Sequence, residues 1–353
     1  MLINSNSQKK IINQPAALTD ALSRPLRDLR ISLLDQCNLR CSYCMPEAEY
    51  HQDYKFLKRS QRLNYDEILR VAATAISLGV TKIRLTGGEP LLDKNICNLI
   101  EKISALPGLD DLALTTNGIF LSSFAKKLAA AGMHRVTVSL DSIDEDIFRA
   151  MSGGRGDLKK VLNGIESAKK AGLGPIKINV VVQKCINDNA VFDLLDYFRG
   201  SGIIVRLIEF MDVGNRNGWK MNQVVPSHVM LEKIQNRWPL KPINQNYTGE
   251  VAQRYHYVDG GGEVGFISSV TNPFCGDCSR ARLSADGMLY TCLFANQGIN
   301  LREPLRNGIN DDELRDILST TWLQRADRYS ELRKPEMAEH HILKKVEMYR
   351  MGG

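Results

Sequence analysis

Six of the eight cysteines in this chain fall into two tight groups, Cys37, Cys41 and Cys44 towards one end and Cys275, Cys278 and Cys292 towards the other. Thiolate sulfur is a soft donor that favours zinc or iron–sulfur clusters. A structural zinc wants four ligands, and neither group supplies a close fourth. A 4Fe–4S cube held by three cysteines fixes three irons and leaves the last open to an exchangeable ligand, which makes it a site for chemistry. Arg280 and Arg282 lie between the cysteines of the second group. If that stretch is extended, residues i and i+2 share a face, so two guanidiniums aim together beside a metal. Such a pair matches phosphate oxygens bidentately and keeps its charge at any accessible pH.

These residues need a scaffold, and from residue 29 the chain alternates apolar strands with helical segments. Strands are expected over 29–35, 81–86, 111–116, 134–140, 176–182 and 203–209. Helices are expected over 65–78, 93–105, 121–131, 157–171 and 190–199. Asn64 with Glu67 three residues on reads as a capping box at the first helix, and Gly79 as its stop. Six βα units imply parallel strands with right-handed crossovers. In barrels of such units the chemistry gathers at the carboxyl ends of the strands. There the chain carries the first cysteine group, then Gly87-Gly88-Glu89-Pro90, then Thr115 to Gly118, Ser139 and Asp141, Asn179 and Gln183, and finally Glu209 and Met211. The two glycines permit close approach of a ligand to backbone N–H and C=O groups. Arg30, Lys82, Arg84, Lys177 and Arg206 sit on the strands themselves, where an inward cation is costly unless something anionic meets it.

After residue 211 the rhythm stops. A short helix over 226–238, a polar glycine-rich stretch over 244–262, short strands over 265–270, 281–284 and 289–293 and a helix over 311–322 are expected. The chain divides on this reading into a flexible extension 1–20, a core domain 21–235 and a smaller α+β domain 236–353 carrying the second cysteine group. The 353 residues, 43% hydrophobic and 24% charged, are those of a globular protein. A net charge of +6 is too mild to argue for nucleic acid. No apolar run has signal-peptide or membrane-spanning length, and the cysteine clustering favours metal ligation in a reducing cytoplasm over disulfides. Cys97 and Cys185 read as ordinary thiols, Trp219, Trp238 and Trp322 as packing residues, and His340-His341 as solvated.

The C-x3-C-x2-C spacing with Tyr43 before the last cysteine, together with Gly87-Gly88-Glu89-Pro90, resembles the radical S-adenosylmethionine (SAM) superfamily. That resemblance implies a partial (β/α)6 barrel, with Cys37, Cys41 and Cys44 holding a 4Fe–4S cluster that chelates and reductively cleaves SAM. Adding the C-terminal C-x2-C-x13-C group, its R-x-R and the final Gly352-Gly353, the chain after about Arg24 is similar to the GTP 3′,8-cyclase family of molybdenum cofactor biosynthesis. Within that family's pattern Tyr43, Gly88, Ser139 and Met211 would contact SAM. A second 4Fe–4S cluster would rest on Cys275, Cys278 and Cys292, its open iron meeting the guanine ring. Arg30, Arg84, Thr115, Lys177 and Arg280, Ala281 and Arg282 would bind GTP, and the glycine tail would insert toward the site. The implied reaction removes hydrogen from C3′ of GTP and closes a bond to C8, giving (8S)-3′,8-cyclo-7,8-dihydro-GTP. The resemblance also implies a flavodoxin- or ferredoxin-like electron donor, delivery of product to cyclic pyranopterin monophosphate synthase, and a homodimer. Leu34-Asp35-Gln36 departs from the family's usual Thr-Asp-x before the first cysteine.

Two rival readings make different predictions. A peptide-modifying radical SAM enzyme would carry further C-terminal cysteines and need no R-x-R. A non-catalytic zinc protein bound to nucleic acid would have no use for the six βα units and would lose affinity steeply with salt.

Overall fold

Short apolar segments in which every second residue is polar make strands with two unlike faces, and the fold exploits both. In the computed structural model, residues 18–333 and 344–352 are described. The expected extension therefore lies outside the described residues except for its last three. There Thr19 bridges to Pro25 and Asp20 is buried, so the chain is already held in place before residue 21.

Six parallel strands follow in order: β1 (Asp28–Ser32), β2 (Lys82–Thr86), β3 (Asp111–Thr116), β4 (Arg135–Ser139), β5 (Lys177–Val182) and β6 (Ile204–Glu209). Helices α1 (Tyr65–Ser77), α2 (Ile96–Ser104), α3 (Leu121–Ala130), α4 (Glu145–Met151), α5 (Leu158–Lys170) and α6 (Val191–Phe198) connect them. The Asn64–Glu67 capping box forms as the sequence requires, and Gly79 follows the end of α1 with φ 108°. On one face of the sheet Ile31, Ile83, Leu85, Leu112, Leu114, Val136, Val138, Ile178 and Val180 are fully buried and join one continuous core with the apolar sides of the helices. The other face carries the charged alternates.

The chain beyond 211 adds to the same sheet rather than building a separate one. After α7 (Ser227–Arg237), strands β7 (Leu240–Ile243), β8 (Gln253–Tyr257) and β9 (Glu263–Ile267) extend the β6 edge, with β9 parallel to β6. At the opposite edge β10 (Arg280–Leu283) runs parallel to β1, followed by β11 (Met288–Tyr290) and β12 (Ile299–Asn300). The result is a 12-stranded mixed α/β sheet in the order β12-β11-β10-β1-β2-β3-β4-β5-β6-β9-β8-β7. Eight central strands are therefore parallel, two more than the βα count, because β9 and β10 reach the edges without helical crossovers of the same rhythm. β7 and β8 fall around the stretch read as a polar loop. Gln253, Arg254 and His256 make β8 too polar to show an apolar alternation. Helix α8 (Asp311–Leu323) packs against α1, close to its expected span.

Glu209 joins the first part of the chain to the second. Only 2% exposed, its carboxylate accepts hydrogen bonds from the backbone N–H of Ser227, Val270 and Thr271 and from the Thr271 hydroxyl. Glu209→Ala removes the acceptor of three backbone N–H groups and one hydroxyl, of which the Ser227 N–H is buried. It is expected to cost about 3 kcal/mol or more, read as a lowered urea midpoint in the cluster-free protein.

Candidate active site

The loop after β1 brings Cys37, Cys41 and Cys44 together as free thiols. A tight turn sets their order, with Cys44 N and Met45 N both donating to Cys41 O. Arg40 braces the loop from within, donating from Nη1 to Cys37 O at 2.8 Å and from Nε to Tyr50 O at 2.7 Å. Buried Met45 and Tyr50 pack against Cys37 and Cys44, while Tyr43, Phe210 and Trp219 pack against Cys41 and Cys44. Burial pushes the Cys37 thiol up to about 11. Burial and then the neighbouring Cys37, Asp141 and Cys44 raise that of Cys41 further. Three thiols that oppose one another's ionisation suit a cationic group shared among them.

The glycines after β2 press against this loop. A Cβ on Gly87 would lie 2.5 Å from Leu34 O, and one on Gly88 2.0 Å from Gln36 O. Gly88 N donates to Leu34 O and Glu89 N to Gln36 O, so these N–H groups are engaged by the cysteine loop itself. Glu89, read from the sequence only as part of the strand-end Gly-Gly-Glu-Pro turn, is 1% exposed and accepts from Thr116 Oγ1, Asn117 N and Leu91 N. Burial nevertheless lifts its carboxyl to about 7. Asn117 in turn donates to Asn38 Oδ1 and weakly to Cys37 Sγ.

A single cavity opens beside the cysteine loop. Tyr43, Ser139 and Met211 line it, as do Arg30, Arg84, Thr115, Arg280 and Arg282 and all three cysteines of the second group. Arg206, expected as an inward strand cation, and Asn179, expected at a strand end, line it as well, together with Phe274 and Arg325, which the sequence did not single out. Cys37, Cys41, Cys44, Gly88, Lys177 and Ala281 are not among the lining residues. Ala281 has its side chain in the apolar core, as its position between Arg280 and Arg282 on a strand demands. Lys177 shares a face of β5 with Asn179, two residues before it.

Strand register explains the electrostatics. Asp28 lies opposite Lys82, which it meets at 3.2 Å, and Asp111 forms an ion pair with Arg135 at 2.5 Å. One rung further along, Arg282, Arg30 and Arg84 stand side by side on β10, β1 and β2 with no carboxylate among them. Among the described residues, the Nε atoms of Arg30, Arg84 and Arg206 are buried without a hydrogen-bond partner. Among the same residues Arg84 donates only to the hydroxyls of Thr115 and Thr137. Its pKa is driven well down by burial and then by Arg135, Arg30 and Arg206. Such a row is strained until an anion arrives.

At the far wall, Cys275 opens a short turn ending at Cys278, and Cys292 follows β11. Burial would raise the Cys278 thiol, but Arg280, donating to its Sγ at 3.3 Å, and Arg325 bring it down to about 6. The C-terminal helix Met348–Met351 enters from the side, with Met348 lining the cavity. Arg282 Nη1 donates to Gly352 O. Gly353 and His340-His341 lie outside the described residues.

Among the described residues, no three His, Cys, Asp or Glu side chains converge closely enough to hold a single metal ion. A zinc site gathers its sulfurs about 2.3 Å from one centre. Three thiols on one loop, wider apart and lacking a fourth donor, instead fit a cluster in which each sulfur takes a different iron. Among the same residues no helix is long and apolar enough to cross a membrane.

The chain is similar to known proteins along nearly its whole length. A model of the radical SAM superfamily matches residues 31–198, and one described as Molybdenum Cofactor Synthesis C matches residues 203–331. The GTP 3′,8-cyclase of Xanthomonas campestris pv. campestris (strain B100) is 51% identical over 338 residues, 96% of this chain and 98% of that one. That of Staphylococcus haemolyticus (strain JCSC1435) is 43% identical over 339 residues, 96% and 99% respectively. Among solved structures, Streptococcus suis SuiB bound to S-adenosylmethionine superposes with a TM-score of 0.56 at 16% identity, covering 76% of this chain and 60% of SuiB. That last likeness is one of fold.

Proposed function

Because this chain belongs to the GTP 3′,8-cyclase family of radical SAM enzymes, we propose that its cysteine loop and its arginine-lined cavity form one site that holds SAM and GTP against each other. The enzyme converts GTP to (8S)-3′,8-cyclo-7,8-dihydro-GTP, the first step of molybdenum cofactor biosynthesis. When bound at Cys37, Cys41 and Cys44, an iron–sulfur cluster with SAM supplies one-electron chemistry, cleaving a carbon–sulfur bond and removing a hydrogen atom from the substrate.

The chain's own residues do the positioning. Tyr43, fixed through its hydroxyl to Asp141 Oδ2 at 2.7 Å, walls the SAM side of the cavity together with Ser139 and Met211. Gly88 keeps the β2 end close to the cysteine loop. Arg282, Arg30 and Arg84, with Arg206, Arg280 and Lys177 behind them, receive the triphosphate. Thr115 orients Arg84, and Ala281 contributes only by its place in the strand between two arginines. Cys275, Cys278 and Cys292 hold a second iron–sulfur cluster facing the guanine. The observation that carries this reading is the rung of three arginines without a carboxylate, one strand from that second cysteine group. We extend the proposal to a partial barrel made by the βα units, with 21–235 as core and 236–353 as auxiliary domain. It further includes a flavodoxin- or ferredoxin-like donor, transfer of product to cyclic pyranopterin monophosphate synthase, a homodimer and a cytoplasmic setting.

The test is anaerobic. Protein reconstituted with iron and sulfide, reduced, and given SAM and GTP should yield 5′-deoxyadenosine and the cyclised nucleotide together. 5′-Deoxyadenosine without consumption of GTP would overturn the substrate reading. Gly352→Ala probes the tail within the same assay. Gly352 has φ 71°, and a Cβ there would sit 2.1 Å from Thr86 Cγ2. The tail must shift by an ångström or more, so GTP conversion should fall by about 10²-fold.

Lys177 makes binding sensitive to pH. Burial, then Arg206 and Arg135, lower its amine to about 7. An arriving triphosphate raises that pKa, so above pH 7 binding takes up a proton and affinity falls as pH rises, by up to about tenfold per unit. Calorimetry at pH 8 in buffers of different ionisation enthalpy should report that uptake, and Lys177→Met should abolish it.

A further inference from the structure

The second cysteine group is held from behind by three charged residues that no part of the reaction has yet used. Asp20 lies in the turn that leads into β1, its Oδ1 accepting from Leu22 N and Arg24 N. Its Oδ2 receives two guanidiniums, Arg24 Nε at 2.6 Å and Arg325 Nη1 at 2.9 Å. The side chains are withdrawn from water, Asp20 at 0% exposure and both arginines at 1%. Each guanidinium then reaches a cysteine segment. Arg24 Nη1 donates to Cys275 O at 2.8 Å and to Asp327 O at 2.7 Å. Arg325 Nη1 donates to Cys278 O at 2.7 Å, and its Nε to Thr291 O at 3.1 Å, the residue before Cys292. Trp322 closes the arrangement, donating from Nε1 to Arg24 O beneath the Arg325 guanidinium.

A buried ionic triad is a poor device for stability alone, because apolar residues of similar volume commonly do as well or better. Apart from one bond to Asp327 O, the two arginines of this one donate onward to backbone at or beside all three cysteines. We propose that Asp20, Arg24 and Arg325 are positioning residues that set the spacing of Cys275, Cys278 and Cys292 and so allow the second iron–sulfur cluster to assemble with one iron open. The inference rests on the reading of those cysteines as cluster ligands. It assigns to the stretch just before β1 a role in a site formed more than 250 residues later. Severing the triad loosens the carbonyls first and the thiols with them, while the loop of Cys37, Cys41 and Cys44 keeps its separate support from Arg40 and Glu89.

Iron and sulfide content after anaerobic reconstitution tests this, with the electron paramagnetic resonance of the reduced protein recorded with and without GTP. Wild type should hold about eight irons per chain, four for each cluster. Asp20→Asn should fall toward about four and lose the part of the spectrum that responds to GTP, as Cys275→Ala should. If Asp20→Asn fails to fold, the triple variant Asp20→Leu, Arg24→Met, Arg325→Met removes the buried charge and should fold, yet lose the same cluster. Arg325→Lys keeps the ion pair to Asp20 but cannot reach both carbonyls, and should shift the GTP-responsive signal. Eight irons and an unchanged spectrum in the triple variant would overturn the proposal. A wild type with only four irons, insensitive to Cys275→Ala, would instead overturn the two-cluster reading beneath it.

Discussion

Cys41→Ala is expected to make no 5′-deoxyadenosine above background, whereas Cys292→Ala is expected to keep making it while no longer cyclising GTP. The two cysteines belong to different groups: that of Cys292 lines the cavity, whereas the loop of Cys41 reaches it only through Tyr43. The Cys41 thiol is raised by burial, Cys37, Asp141 and Cys44 in turn. With two ligands left on that loop, no site-open cluster persists and the electron has no route to SAM. The fall should exceed about 10⁴-fold, or more than about 5 kcal/mol of transition-state stabilisation. Cys292, raised to about 11 chiefly by burial, faces the far wall beside Arg282 and Phe294. Its loss removes the proposed guanine contact and leaves the cysteine loop untouched. Iron content and 5′-deoxyadenosine, measured in parallel under excess dithionite, distinguish the two. If Cys41→Ala still cleaved SAM, the assignment of that loop would be wrong.

Arg84→Met should stabilise the nucleotide-free protein while nearly abolishing GTP binding. The guanidinium lies between Arg30 and Ala113 in the strand register, 4% exposed, with Nε unpartnered and like charges on Arg135, Arg30 and Arg206. Methionine has similar reach without the charge. Replacing an uncompensated buried cation by an apolar chain commonly gains about 1–4 kcal/mol. Against that, a desolvated charge-assisted contact to phosphate is worth about 3 kcal/mol or more, so affinity should drop by about 10²-fold. Melting temperature without ligand and GTP affinity should therefore move in opposite directions, as expected where a site is strained for function. A protein that melted lower and bound GTP normally would make Arg84 a structural cation.

Much of this was legible in the chain because its signals are local. Period-two alternation exposed the strand cations Arg30, Lys82, Arg84, Lys177 and Arg206, and the i, i+2 spacing of Arg280 and Arg282 already sent Ala281 to the other face. Asn64 and Glu67 announced α1 from three residues apart. Glu89, Asp141 and Glu209 were legible as polar residues at the strand ends, but not what each would hold. Each is an ordinary acidic residue until the fold delivers its partners, such as Thr116 and Asn117 for Glu89 or Val270 and Thr271 for Glu209. The edge strands β7 and β8 escaped notice because a polar edge strand buries too little to need apolar alternation.

By itself the sequence determined the donor chemistry: two sets of three thiols, a strand-end glycine pair and an excess of arginine over nearby acid, all consequences of residue type and short spacing. Only the tertiary structure decided that the arginines, the second set of thiols and Tyr43 of the first cysteine loop line one cavity. β10 pairs in parallel with β1 across some 250 residues of chain, and that register alone sets Arg282 beside Arg30 and Arg84. Pairing between distant strands is chosen by burial of whole faces and by hydrogen bonding along their length, terms that no local window contains. The same distance hides the Asp20 triad, whose carboxylate is an unremarked turn residue until Arg325 arrives from the far end of the chain.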